Sequence, residues 1–176
     1  MNIKVEIRSF ISEEKYRELI EFFTRKGSFI GEDYQETFYF EGEHDLRIQR
    51  TNNGAKIWLK KGQFHDDTRD EVEINFSRED FEKLEKLFRI LGYEVALKWF
   101  RKRHTFTWQG ISVLLDYAKG YGYILELGKM ANEEEQEDAI RELRYKLATL
   151  KIPVTPREEF NKKFEQYKQH WRELVK

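Results

Sequence analysis

The chain has 176 residues, a length that fits one domain more easily than two, so we predict a single domain over residues 1–176. Its 14 Phe, 9 Tyr and 4 Trp argue against general disorder, and 32 Lys and Arg against 33 Asp and Glu give a formal net charge of -1. That balance argues against a nucleic-acid binder or a membrane-surface protein, and the absence of cysteine excludes disulfides, thiolate catalysis and Cys-based zinc sites. Because no apolar run approaches the length of a signal peptide or a membrane span, we expect a cytoplasmic protein.

Most of the sequence alternates polar and apolar residues with a period of two, which is typical of β-strands. The first such run spans residues 2–10, and a helix follows that Ser12 can cap and Gly27 can end. A hairpin turn is predicted at Gly54, since Asn-Gly supplies the positive φ angles of tight turns. Further strands are expected over 35–42, 45–51, 56–62 and 69–76.

The second half of the chain opens with another amphipathic helix, which runs from Ser77 to Gly92. Strands are then expected over 94–107, 110–117 and 122–129, and helices over 131–150 and 157–176. The sequence therefore predicts about eight strands and four helices, with no linker or internal repeat to divide them.

One face of strand after strand carries ionised side chains, while the other face is apolar and needs cover. The ionised residues are Lys4, Glu6, Arg8, Arg47, Arg69, Glu71, Glu73, Arg101, Arg103, Asp116 and Glu126. If the strands close into a barrel with their apolar sides under the helices, these residues line the interior. An open sheet with its charged face in water explains the same pattern, and periodicity leaves both arrangements possible. Trp58 and Trp99 are predicted to lie on the outward, apolar side.

A series of short motifs follows the predicted strands in a fixed order. They are KVEIR at 4–8, LRIQR at 46–50, KIWLKKG at 56–62, Arg69, Glu71 and Glu73, RKRHTF at 101–106, and LLDYAKGYGYILELG at 114–128. In this order they resemble the ExExK, LRxR, Lys-Gly, RxExE, KxR and Asp…ExE motifs of the CYTH family. That family, named for class IV adenylyl cyclases and thiamine triphosphatases, lies within the triphosphate tunnel metalloenzymes. Each motif is only a few charges on a strand, so the specificity comes from the whole series.

The resemblance implies an α+β fold, in which eight antiparallel strands close into a barrel covered by amphipathic helices. It implies that cations in the tunnel bind the triphosphate: Lys4, Arg8, Arg47, Lys61, Arg69, Arg101 and Arg103. It implies that Glu6 and Glu126 hold Mg²⁺ or Mn²⁺, which prefer hard oxygen ligands. Glu71, Glu73 and Asp116 are the carboxylates expected to serve catalysis. Arg suits this task because it grips phosphate bidentately, and phosphoryl transfer depends mostly on positioning and electrostatics.

Three positions depart from the family motifs. Lys4 stands where the first acid of ExExK belongs, Gln49 replaces the second Arg of LRxR, and Gly128 replaces the last Glu. Class IV cyclases also tend to lack that last Glu, whereas Lys4 puts a cation beside the expected metal site.

The expected function is a metal-dependent conversion of ATP to cyclic AMP and pyrophosphate. A triphosphatase acting on inorganic or organic triphosphates is the alternative within the same fold. A non-catalytic module that binds nucleotide or polyphosphate is an alternative of a different class. The expected partner is a nucleoside triphosphate or inorganic triphosphate, with no nucleic acid and no membrane, and the protein is expected to be a monomer or homodimer.

Overall fold

A computed structural model describes residues 3–60 and 71–176 of the chain. Within them the strands are β1 (Ile3–Ile11), β2 (Ser28–Phe40), β3 (Asp45–Arg50), β4 (Ala55–Lys60), β5 (Glu71–Phe76), β6 (Val95–Trp108), β7 (Ile111–Ala118) and β8 (Gly122–Ala131). The helices are α1 (Glu13–Lys26), α2 (Phe81–Ile90), α3 (Gln136–Thr149) and α4 (Arg157–Leu174). The predicted elements are thus all present among the described residues. No helix in that part of the chain is long and apolar enough to cross a membrane.

All eight strands belong to one sheet, in the order β1-β8-β7-β6-β2-β3-β4-β5. The pairs β1–β8, β7–β8, β2–β3, β3–β4 and β4–β5 are antiparallel. The predicted eight-stranded antiparallel α+β architecture is therefore confirmed. The order begins at β1 and ends at β5, and within the described ranges no hydrogen-bonded ladder joins those two strands. Closure into a barrel stays a prediction.

Two boundaries differ from the sequence-based expectation. Strand β2 begins at Ser28 rather than near residue 35. The sequence did not predict this start, because the first part of the strand is largely solvent-exposed and carries apolar residues such as Ile30 on the surface, which hides the alternation of polar and apolar residues. Helix α3 begins at Gln136 rather than near 131, because Ala131 still pairs with β1.

The chain forms two compact units, and the first comprises Met1–Glu32 and Lys102–Tyr167. Its core lies between the apolar face of β1, β8 and β7 and the two helices α1 and α3. Ser12 caps α1 by accepting a hydrogen bond from the Lys15 backbone N–H at 3.1 Å, as the sequence predicts. The apolar stripe of α1 is fully buried at Leu19 and Phe23.

The second unit comprises Asp33–Arg101 and Lys168–Lys176. Helix α2 packs against β3, and aromatic rings fill the space beneath it. The ring centroids of Phe38 and Phe81 lie 5.0 Å apart, and Trp171 donates its indole N–H to the Ala96 carbonyl at 2.9 Å. Helices α1 and α3 cover the apolar face of the strands in the first unit, and α2 packs on β3 in the second, so the charged face of these strands is left for a ligand.

Candidate functional site

The strands of the first unit gather six ionised residues on one face of the sheet. Arg8 is the cross-strand partner of Glu126, and Leu114 of β7 pairs with Glu126 on its other side. Because side chains alternate along a strand, residues two positions from these lie on the same face. We call this group the first charged face: Lys4, Glu6, Arg8, Arg103, Asp116 and Glu126.

Two carboxylates of this face converge on a single ammonium group. The Lys4 Nζ lies 2.7 Å from an oxygen of Glu6 and 2.8 Å from an oxygen of Glu126. Arg8 contacts the same two acids, at 2.5 Å and 3.0 Å respectively. Glu126 is only 6% exposed, whereas Lys4 and Arg8 are about half exposed at 47% and 52%. A buried carboxylate is thus neutralised by two cations that reach it from the solvent side.

The electrostatics of Glu126 and Lys4 follow from this contact. Burial by itself raises the pKa of the Glu126 carboxyl, but the Lys4 hydrogen bond and the charges of Arg8 and Lys4 hold that pKa below its ordinary value. Burial lowers the pKa of Lys4, and its hydrogen bonds to Glu126 and Glu6 more than compensate, so the Lys4 pKa is raised. Both groups are therefore charged at neutral pH.

Arg103 and Asp116 form the second part of the first charged face. The Arg103 Nε and a terminal guanidinium nitrogen each donate to one oxygen of Asp116, both at 2.7 Å. Burial alone would lower the Arg103 pKa, but Asp116 and the charges of Glu126 and Glu6 raise it. The pair is a buried, bidentate ion pair, in which both carboxylate oxygens of Asp116 accept a hydrogen bond from Arg103.

The second unit presents a charged face of a different kind. Antiparallel register places Arg47 of β3, Trp58 of β4 and Glu73 of β5 directly opposite one another. We call the group on this side the second charged face: Asp45, Arg47, Gln49, Lys56, Trp58 and Glu73.

Arg47 is the central residue of the second charged face. Its guanidinium is hydrogen-bonded to both oxygens of Asp45, with Nε at 2.6 Å from Oδ1, and lies 4.4 Å from the Tyr39 ring centroid. The Trp58 ring centroid is 5.5 Å away, within cation–π range. The expectation that Trp58 lies on the outward side is wrong, because its register partners Arg47 and Glu73 fix it on the charged face. Its buried indole N–H has no hydrogen-bond partner in the part of the chain that the structure describes.

A family comparison gives the most direct indication of what these faces serve. The model of the CYTH domain matches residues 2–157. The chain belongs to the CYTH family. The match covers every predicted motif from Lys4 to Gly128.

Individual CYTH-like proteins are similar over most of their length. A Methanocaldococcus jannaschii protein named "Putative adenylate cyclase" is 28% identical over 152 residues, covering 80% of this chain and 84% of the relative. A conserved hypothetical protein of Pyrococcus furiosus shares the fold, with a TM-score of 0.65 at 23% identity, over 88% of this chain and 96% of its own. A Hippeastrum adenylyl cyclase-like protein, described as having a dominant triphosphatase activity, gives a TM-score of 0.60 at 17% identity, over 87% and 89%.

The sequence-predicted CYTH site residues fall into three groups. Those of the first charged face come together as described, with Lys4, Glu6, Arg8 and Glu126 in mutual contact. Those of the second unit lie on their expected strands, and Glu73 forms an ion pair with Lys56 at 3.1 Å. Lys61 and Arg69 lie outside the described residues, and Glu71 is the first residue of β5, where it pairs with Lys60 of β4.

Arg101, also in the second unit, is hydrogen-bonded to the side-chain amide of Gln35. Its Nε donates to the Gln35 side-chain oxygen at 2.8 Å, and a terminal nitrogen bonds the same oxygen. Gln35 in turn donates to Asp33 at 2.9 Å. This chain of contacts fixes the direction of the Arg101 guanidinium.

Two of the departures from the CYTH motifs have a structural explanation. A Cβ at Gly128 would lie 2.7 Å from the Ser112 Oγ and 3.3 Å from the Lys4 Cε, so the missing Glu leaves space that Ser112 and Lys4 occupy. Gln49 donates its amide to the Thr37 hydroxyl at 2.8 Å, a neutral contact that replaces a cation. Sequence reasoning missed Tyr39 and Ser112, because neither carries a charge to mark it, and it placed Trp58 on the wrong face.

CYTH membership implies use of a divalent metal, and the first charged face can be tested for it. Glu6 and Glu126 direct carboxylate oxygens at one point, which suits a hard cation in donor chemistry. That point is held by the Lys4 ammonium, so a metal fits only in exchange for it. No cluster of three or more His, Asp or Glu suited to a metal occurs within residues 3–60 and 71–176.

Proposed function

We propose that this CYTH protein is a divalent-metal-dependent enzyme that acts on a triphosphate-bearing substrate, and that its reaction is the conversion of ATP to cyclic AMP and pyrophosphate. In that reaction the ribose 3′-oxygen attacks the α-phosphorus, the bond from that phosphorus to the bridging oxygen breaks, and pyrophosphate leaves. The hydroxyl proton passes to a base or to water. The observation that carries the proposal is the register, which gathers cations and carboxylates on the uncovered face of the strands.

Phosphate binding is the part of the proposal with the most residues behind it. A triphosphate brings about four negative charges, and guanidinium groups suit it because they donate two hydrogen bonds at once. The proposed phosphate ligands are Lys4, Arg8, Arg47, Lys61, Arg69, Arg101 and Arg103. Asp45 and Gln35 hold the guanidinium groups of Arg47 and Arg101 in fixed directions, which lowers the ordering cost of binding.

The carboxylates divide into proposed metal ligands and proposed catalytic groups. Glu6 and Glu126 are the proposed donors to Mg²⁺ or Mn²⁺, which would supply charge neutralisation to the phosphates. Glu71 and Glu73 remain proposed catalytic carboxylates. Both oxygens of Asp116 accept hydrogen bonds from Arg103, which favours a role in positioning that arginine over accepting the substrate proton.

The proposal includes a closed barrel, a cellular location and an oligomeric state. Closure of the eight strands into a barrel is supported by the family, whose motifs the chain carries in order. A cytoplasmic location and a monomeric or homodimeric state are proposed with it.

A triphosphatase is the second candidate, favoured by the activity described for the Hippeastrum protein. Gly128 in place of the last Glu favours the cyclase, because class IV cyclases tend to lack that Glu. A binding module without turnover is favoured by Lys4, the cation between the two proposed metal ligands, and by Gly128, which stands where a further carboxylate is expected.

Product analysis separates the three candidates. The purified protein is incubated with ATP or with tripolyphosphate, with Mg²⁺ or Mn²⁺, and the products are resolved by chromatography. We expect cyclic AMP and pyrophosphate from ATP, and loss of both products in Arg8→Met. Lys129→Met is the matched control, since Lys129 is an ion-paired lysine on β8 that contacts Glu142 of α3 at 2.6 Å on the opposite side of the sheet.

Orthophosphate without cyclic nucleotide would replace the cyclase with the triphosphatase. Triphosphate binding in a calorimeter without any product would leave the binding module. Absence of binding to either compound, with and without metal, would contradict all three.

A further inference from the structure

The position of the Lys4 ammonium bears on how this chain handles a metal. It lies within hydrogen-bond distance of one oxygen of Glu6 and one of Glu126, at 2.7 Å and 2.8 Å. An ammonium has three N–H donors, so these contacts use two and leave the third for a phosphate oxygen. Lys4 thus stands at the point on which both proposed metal ligands converge.

Charge balance at this point opposes a divalent cation. Glu6 and Glu126 carry two negative charges, and Lys4 and Arg8, which contact them both, carry two positive charges. The group is neutral as it stands, and a divalent ion would leave it with two excess positive charges. Replacing the ammonium with a neutral side chain leaves one net negative charge, and replacing it with a carboxylate leaves two, which matches the ion.

The neighbouring strand β8 has no side chain at the position where the lysine passes it. Gly128 of β8 pairs with Glu6, and a Cβ there would lie 3.3 Å from the Lys4 Cε, tighter than ordinary van der Waals contact. The Ser112 Oγ would be closer still, at 2.7 Å. The two departures from the family motifs are therefore neighbours on paired strands, with the Lys4 side chain passing close to Gly128.

We propose that the Lys4 ammonium is a tethered cation that competes with divalent metal for Glu6 and Glu126, so that the unmodified chain binds metal weakly at these carboxylates. This inference rests on the proposed function only in its choice of metal ligands. It assigns Lys4 the task of setting metal affinity, in addition to binding phosphate.

The test is a titration of Mn²⁺ followed by electron paramagnetic resonance of the free ion, with no triphosphate present. We expect Lys4→Met to bind Mn²⁺ about tenfold more tightly than the unmodified protein, and Lys4→Glu about 100-fold more tightly, because each step makes the site more negative by one unit of charge. Lys4→Arg keeps the charge and is expected to match the unmodified protein. Lys129→Met removes an ion-paired lysine of β8 that contacts α3, and is expected to change nothing.

Equal Mn²⁺ affinity in the unmodified protein, Lys4→Met and Lys4→Glu would overturn the inference, as would an equal gain in Lys129→Met. Circular dichroism of each variant verifies that it is folded, and Lys4→Met still decides the question if Lys4→Glu does not fold. Because the titration contains no triphosphate, its failure is distinct from failure of the proposed function, which calorimetry with tripolyphosphate tests separately.

Discussion

The two charged faces differ in the residues that hold their cations in place. On the first, the ion pairs join residues far apart in sequence: Lys4 and Arg8 reach Glu126 more than 100 residues away. On the second, Arg47 bonds Asp45, two residues before it on the same strand, and lies against the rings of Tyr39 and Trp58. The first is a network of charges across strands, and the second is a local pair among aromatic rings.

On the first face the cations neutralise buried carboxylates, whereas on the second the surroundings order an arginine. The first face contains carboxylates that are nearly fully buried, at Glu126 and Asp116, so its cations must neutralise protein charge before they can serve a ligand. The second face surrounds its arginine with aromatic surface, which orders the guanidinium and adds cation–π attraction. Replacing Arg103 on the first face should therefore cost mainly stability, and replacing Arg47 on the second should cost mainly ligand affinity.

The largest expected effect is on stability and comes from Arg103→Met. The change removes the bidentate guanidinium partner of the buried Asp116 carboxylate, which we expect to lower the free energy of unfolding by about 3 kcal/mol. Urea unfolding followed by far-ultraviolet circular dichroism measures it. The double variant Arg103→Met/Asp116→Leu should recover most of the loss, because the buried negative charge is removed together with its cation.

Lys56→Met is the control for this comparison. Its ion pair with Glu73 is well exposed, at 32% and 41%, so we expect a loss below about 0.5 kcal/mol. If Arg103→Met costs no more than Lys56→Met, the first face does not depend on neutralising a buried carboxylate.

The next effect is on affinity, and it comes from Arg47→Lys. Lysine keeps the charge but loses the planar fork and the ring contacts, so we expect tripolyphosphate to bind about tenfold more weakly, or ~1.4 kcal/mol. Isothermal titration calorimetry measures the change. Arg172→Lys is the matched control, because Arg172 also lies over a tryptophan ring, that of Trp171 at 4.8 Å, but on α4.

A similar loss of affinity in both arginine variants would show that the second face has no particular part in phosphate binding. A loss confined to Arg47→Lys, with unchanged unfolding free energy, would sharpen the contrast with Arg103.

The smallest effect is expected from Gly128→Ala on the first face. The added methyl group meets the Ser112 Oγ and the Lys4 Cε, and we expect the free energy of unfolding to fall by about 1 kcal/mol. Thermal and urea unfolding of Gly128→Ala/Ser112→Ala should show a partial recovery, since the closer of the two atoms is removed. Gly31→Ala, where a Cβ meets nothing within 4 Å, serves as the control. A Gly128→Ala variant as stable as Gly31→Ala would mean that the strand has room for a side chain there.

Much of the fold was predictable because alternation and capping are local properties. The α1 helix follows from Ser12, an apolar stripe and Gly27, and it forms where that pattern predicts. The start of β2 was missed because its first residues are exposed on the surface, so the apolar side chain of Ile30 does not mark a buried face. The face of Trp58 was predicted wrongly because an aromatic side chain on a strand usually indicates a core position. Its pairing with Arg47 shows that it lies on the charged face.

The sequence by itself determined which residues of one strand share a face, since side-chain direction on a strand depends only on spacing along the chain. It also determined the family, through the order of short charged motifs. Only the tertiary structure decided which charge meets which. The contact of Lys4 with Glu6 and Glu126 depends on the pairing of β1 with β8, strands separated by more than 100 residues, and no local pattern encodes that register.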